Sequence, residues 1–147
     1  MVSVPGRLAE NGRGRGGVAI YAASDVVSGV RVWGVPREGI AWVQVQGLLD
    51  RPLHLAACYI PPQQTAAALS AFYSHLLRDV LEAHAYGYVA VAGDLNARTG
   101  TASEEAAGAA QGPLLSATPG PRESQDKVLS AQGRALLRFC GEAGLWI

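Results

Sequence analysis

A strand-length apolar run that stops at a glycine, Tyr88-Val89-Ala90-Val91-Ala92-Gly93, constrains this chain more than any other stretch. Val89 and Val91 alternate with small Ala90 and Ala92. That predicts a short buried strand in the centre of a sheet, and Gly93 ends it. Asp94 and Asn96 follow, two residues apart. If the backbone stays extended through both, the two-residue period sets a carboxylate and a carboxamide on one face. A carboxylate binds a metal or orients a water, and a carboxamide donates to an anionic oxygen. The same two residues also close a strand as an Asx-turn, and the local sequence leaves both readings open.

The segments before this run alternate between extended runs and turns. Residues 1–16 hold Arg7, Arg13 and Arg15 among glycines and read as a flexible basic loop. Gly12-Arg13-Gly14-Arg15-Gly16-Gly17 lacks the Lys-Ser/Thr ending of a phosphate-binding Walker loop. Val18–Ala22, Val26–Val35, Ile40–Gly47 and Leu53–Tyr59 read as successive strands with short turns, an antiparallel meander. In the third, Ala41, Val43 and Val45 alternate with Trp42, Gln44 and Gln46, the pattern of a half-buried strand.

Pro61 and Pro62 end the meander just after Tyr59. A helix is expected from about Thr65, its N-cap, to about Ala85. Leu69, Phe72, Tyr73, Leu76, Leu77, Val80 and Leu81 make its apolar stripe, and His75 and His84 lie on its surface. Residues 97–126 lack periodicity and form a long loop. A last helix runs from Ser130 to Ala143 with Gly144 as its C-cap, and Leu145-Trp146-Ile147 starts a further strand.

Composition narrows the class. Of 147 residues, 49% are hydrophobic and 16% charged, which excludes a disordered chain and leaves room for one domain with a core. Twelve basic and twelve acidic residues cancel, so no global field draws nucleic acid. Cys58 and Cys140 sit in apolar runs without metal-site spacing. They read as core residues of a reducing compartment. No signal peptide and no membrane-length apolar run is present, so the expected location is intracellular, cytoplasmic or nuclear, and not secreted.

The order of signals is itself informative. Gly16-Gly17-Val18-Ala19-Ile20-Tyr21 is followed by Tyr59-Ile60-Pro61-Pro62 and an amphipathic helix. Gly93-Asp94-Leu95-Asn96-Ala97-Arg98 comes next, and Ser130-Ala131-Gln132-Gly133-Arg134 leads into Leu136-Leu137 and Gly144-Leu145. This ordered set resembles the endonuclease/exonuclease/phosphatase superfamily, most of all the endonuclease domain of non-LTR retrotransposons. The resemblance implies an α/β (α+β) fold, a four-layer α/β/β/α sandwich of mostly antiparallel sheets, here in part. It implies phosphodiester hydrolysis with Mg2+ or Mn2+, with DNA as the partner. By the same resemblance Asp94 orients or activates the attacking water, Asn96 hydrogen-bonds the scissile phosphate, and Tyr59 stabilises its developing charge. Arg98 reaches a neighbouring phosphate or is solvated.

The departures from the family pattern are equally specific. An Asn-bearing strand and a strand with a metal-binding Glu precede the Gly-Gly-Val-Ala-Ile segment in that family, and a late Asp-His pair follows. Glu10 lies in the Gly/Arg loop and takes no metal role; His54, His75 and His84 come too early to replace the catalytic His. The metal ligands therefore stay unassigned. Residues 1–147 read as a truncated domain, inactive or weak as a fragment. A non-catalytic remnant or weak nucleic-acid-binding module is the alternative. Uncovered strands predict marginal stability, aggregation, or a partner or self-association that covers sheet edges.

Overall fold

In a computed structural model, residues 2–8, 14–102 and 123–147 are described. The chain divides into two units, residues 1–61 with 79–94, and residues 62–78 with 95–147.

The first unit is built on a four-stranded sheet in the order β3-β4-β5-β6. Its strands are β3 (Val30–Val32), β4 (Ile40–Val45), β5 (Leu53–Tyr59) and β6 (Tyr88–Asp94). β3, β4 and β5 pair antiparallel, three of the four strands of the expected meander. The stretch expected as the first strand, Val18–Ala22, pairs outside this sheet through Val18, Ala19 and Ile20. β6 instead pairs parallel with β5. A parallel neighbour needs a crossover, and the helix between the two strands supplies it. Along β5, His54, Ala56 and Cys58 are buried and their neighbours half-buried, a clean two-residue alternation. β4 departs from the half-buried expectation. Ile40, Ala41, Trp42 and Val43 are all buried, because both faces of this inner strand are covered. Trp42 packs edge-on against Trp33 at 5.2 Å, and Trp33 lies edge-on to His54 at 5.0 Å.

Several sequence expectations need correction here. The loop expected over residues 1–16 is instead an antiparallel pair, β1 (Val2–Leu8) with β2 (Gly14–Ile20), which lies over β4 and β5. Glycine content argues for a loop, but ladder hydrogen bonds come from the backbone, and pairing with β1 satisfies them. Residues 9–13, with Glu10, lie outside the described residues. Among the described residues β6 is an edge strand rather than a central one, and Tyr88, Ala92, Gly93 and Asp94 are exposed. Its apolar run is long enough for an inner strand but covers only one side. The extended stretch expected over residues 26–35 is a 3-10 turn at Val27–Gly29 followed by the short β3.

The second unit pairs the first part of α1 (Ala66–Tyr86) with α2 (Ala131–Ala143). Thr65 caps α1 as expected, its Oγ1 accepting from Ala68 N at 3.2 Å. Leu69, Tyr73, Leu76, Leu136, Leu137, Phe139 and Cys140 form the core, and the rings of Tyr73 and Phe139 stack at 5.2 Å. α2 begins and ends where the sequence sets it. Ser130 Oγ accepts from Gly133 N at 2.9 Å, and Gly144 takes the left-handed C-cap at φ 65°. Leu145–Ile147 is not a strand, because the Leu145 N–H is spent on Cys140 O at 2.9 Å, closing the helix end. Of the expected loop 97–126, residues 103–122 lie outside the described residues. Its ends are anchored, through a bridge between Thr99 and Leu129.

The described residues thus have mixed α/β content, with two α-helices, a mostly antiparallel four-stranded sheet and a two-stranded antiparallel pair. Among the described residues no helix is long and apolar enough to cross a membrane.

Candidate functional site

The parallel pairing of β5 and β6 ends on one pair of residues, Tyr59 opposite Asp94. One more rung, Ile60 N to Asp94 O at 3.0 Å, holds the two chains together past the strand ends. Gly93 makes this approach possible. Its φ is 138°, and a Cβ there would lie 1.9 Å from Cys58 O. Any side chain at this position would prise β6 from β5 just where Asp94 meets Tyr59. The Tyr59 ring is half-buried, and a Cβ on Gly16 of β2 would come within 3.3 Å of it. The Gly-Gly-Val-Ala-Ile segment and Tyr59, far apart in sequence, therefore meet in the first unit. Asp94 is exposed.

Asn96 and Arg98 belong to the second unit. Extended backbone ends at Asp94, and Asn96 has φ 45°. Strand alternation therefore does not relate Asn96 to Asp94, contrary to the period-two expectation. Asparagine is one of the few L-residues that enters the left-handed region readily.

Arg98 is held in a fork. Its Nε donates to Asp126 Oδ2 and its Nη2 to Asp126 Oδ1, both at 2.8 Å. This bidentate geometry is the strong form of the pair. It holds the Asp126 carboxyl well below the usual carboxylate range, at about 2, with help from the Val128 N–H. Two of the donors that a phosphate would use are therefore already taken by a carboxylate. The backbone of Arg98 is fixed as well: its carbonyl accepts from Ser130 N at 2.9 Å, and its N–H donates to Ser130 Oγ at 3.2 Å. Asp126 and Ser130 thus do work that the sequence reading leaves unassigned. The Asp126 partnership spans 28 residues and leaves no local signal.

Other reactive groups are inert. Burial and the Asp79 carboxylate beside it push the Cys58 thiol up to about 12, so it is no nucleophile at neutral pH. Cys140 is buried too. His75 is exposed as expected and His84 half-buried, while His54 is fully buried, with Nε2 at 3.0 Å from Gln44 Nε2. Burial lowers the His54 pKa, so this ring stays neutral.

Among the described residues no three His, Cys, Asp or Glu side chains gather to hold a metal. At the rim of β5 and β6 the donor set is one carboxylate and one phenol. Magnesium is held by near-octahedral oxygen ligands, typically one or two carboxylates with substrate phosphates and waters. The residues described at this rim do not by themselves make a resident magnesium or manganese site. No family model, no curated protein and no solved structure matches the chain.

Proposed function

We propose that this chain carries part of a phosphodiester hydrolase domain, DNA endonuclease-like and of retrotransposon origin, whose turnover by residues 1–147 alone is weak or nil. The observation that supports this reading is the juxtaposition of Tyr59 and Asp94 at the ends of two parallel strands. A phosphodiester is anionic and resists attack, so a site must orient a water and offset developing charge. Asp94 takes the proton of a water at the exposed strand end as the water oxygen bonds to phosphorus and the opposite P–O bond breaks, the departing sugar oxygen taking a proton from solvent. The Tyr59 hydroxyl donates to a phosphoryl oxygen. The resemblance gives Asn96, the third residue of the motif, the role of a further donor to the phosphate. The metal that the family uses would supply Lewis-acid charge neutralisation. The described rim itself offers such an ion a single carboxylate, Asp94. The proposal includes the four-layer sandwich: β1 and β2, lying over β4 and β5, are read as the beginning of a second sheet.

The test is nicking of supercoiled plasmid with Mg2+ or Mn2+ at high protein concentration, comparing the chain with Asp94→Ala. The expected result is trace nicking that the substitution abolishes. Equal, measurable nicking by both proteins removes Asp94 from the mechanism. Salt-insensitive failure to retain DNA removes the phosphodiester substrate with it.

A further inference from the structure

Gln132 is an uncharged polar side chain that the second unit buries, at 9% exposure, in the first turn of α2. Its Oε1 accepts from the Gln63 N–H at 3.2 Å, and its Nε2 lies 3.5 Å from Leu95 O, a long contact. The two partners fix which end of the carboxamide is which, because an N–H needs the oxygen and a carbonyl needs the nitrogen. One side chain therefore ties the segment after β5 to the segment after β6.

Both segments are backbone outliers. Among the described residues, Gln63 at φ 59° and Asn96 at φ 45° are the two non-glycine residues with positive φ. L-residues leave this region unless their surroundings hold them there, and such residues cluster where a backbone must present a group in a set direction. Gln132 bonds the backbone of the first outlier and of the residue just before the second. Gln63 lies four residues after Tyr59, and Asn96 two after Asp94. The strained turns thus follow directly on the two chain ends that meet at the rim.

We propose that Gln132 is a positioning residue: its carboxamide holds the Gln63 and Asn96 turns in their left-handed conformations and so sets the direction of the Asn96 side chain. Its effect on phosphate rests on the phosphodiester reading above; its hold on the two turns does not.

Two substitutions separate the two hydrogen bonds. Gln132→Met keeps the shape and loses both. Gln132→Glu keeps the acceptor for Gln63 and loses the donor to Leu95. The readout is the backbone three-bond HN–Hα coupling at residues 63 and 96, measured on the labelled full chain. Gln132→Met is expected to shift both couplings, and Gln132→Glu that of Asn96 alone. General destabilisation would not produce this split. Unchanged couplings in Gln132→Met, or identical responses to both variants, overturn the proposal. If Gln132→Met does not fold, the Gln132→Glu pattern alone decides, because a shift at Gln63 or none at Asn96 contradicts it. In parallel, anisotropy with a short labelled DNA duplex at low salt is expected to show about tenfold weaker binding for Gln132→Met. If the unmodified chain does not bind the duplex, the phosphodiester reading fails and the couplings still decide the role of Gln132.

Discussion

Gly133→Ala is a substitution for which helix propensity and this structure give opposite signs. Gly133 lies inside α2, where alanine is favoured over glycine by about 1 kcal/mol. Yet a Cβ there would lie 1.9 Å from Arg98 O and 2.7 Å from its carbonyl carbon. Normal contact requires about 3.5 Å, so the Arg98 peptide must move by roughly 1.5 Å, on the same contact distance. That movement breaks the bond from Ser130 N to Arg98 O and the bond from Arg98 N to Ser130 Oγ. Each is worth about 1 kcal/mol net, and a group left buried without a partner costs more. Subtracting the propensity gain leaves a net loss of about 1–2 kcal/mol, or roughly 4 °C in Tm for a chain of this size. The assay is urea unfolding followed by helical ellipticity at constant pH and protein concentration. A midpoint raised by the equivalent of about 1 kcal/mol would refute the reasoning, because it would mean that the Arg98 loop does not rest on the first turn of α2.

Two further predictions concern titration. His54 is buried and its folded pKa lies below 6.5, so the unfolded chain takes up the proton first. Stability is then unaffected above that range and falls as pH drops below about 6.5; the urea midpoint should decline over this window, and His54→Gln should remove that part of the slope, whereas equal slopes in both proteins count against it. Asp126 is depressed to about 2 by the Arg98 fork, so its contribution is present above the usual carboxylate range and is lost only as pH falls towards 2. A carboxyl carbon titration should find that midpoint, and Arg98→Ala should move it up towards the ordinary carboxylate range, with the Val128 N–H still holding part of the depression; an ordinary midpoint in the unmodified chain contradicts the fork.

What the sequence made legible is what is encoded locally. Ser130 and Gly144 bracket α2 because caps act on the turn beside them, and Thr65 starts α1 for the same reason. β5 lies where the sequence reads a strand because its own apolar residues carry that signal, whereas the alternation read in β4 is lost to burial on both faces. The failures share the opposite cause. β1 and the start of β2 are hidden by glycine and proline, since their ladder is decided by a partner strand and not by propensity. β6 reads as central because its apolar run cannot reveal how many neighbours it has. Of the site, Tyr59 and Asp94 do become neighbours, through a parallel register that no local pattern announces. The direction of Asn96 depends on a left-handed turn, and the commitment of Arg98 on a carboxylate 28 residues away.

The position of Asp94 admits a structural explanation that can be weighed against the chemical one. Edge strands are often guarded by charge, because a bare edge templates pairing with another chain. β6 is an edge, and Asp94 is its only charged residue. A guard belongs where the edge is exposed to pairing, along the apolar stretch from Tyr88 to Ala92. Asp94 instead closes the strand at its far end. At about 3.3 Å per residue, the middle of the run lies about 13 Å away, roughly one and a half Debye lengths at physiological salt. Its charge there is largely screened. Asp94 therefore does little to protect the edge, while Gly93, with its φ of 138° and no room for a side chain beside Cys58 O, lets the strand end pair Asp94 with Tyr59 in register. A glycine that lets the charged strand end pair beside Tyr59, away from the apolar stretch of the edge, fits the proposed site, and edge protection does not account for it.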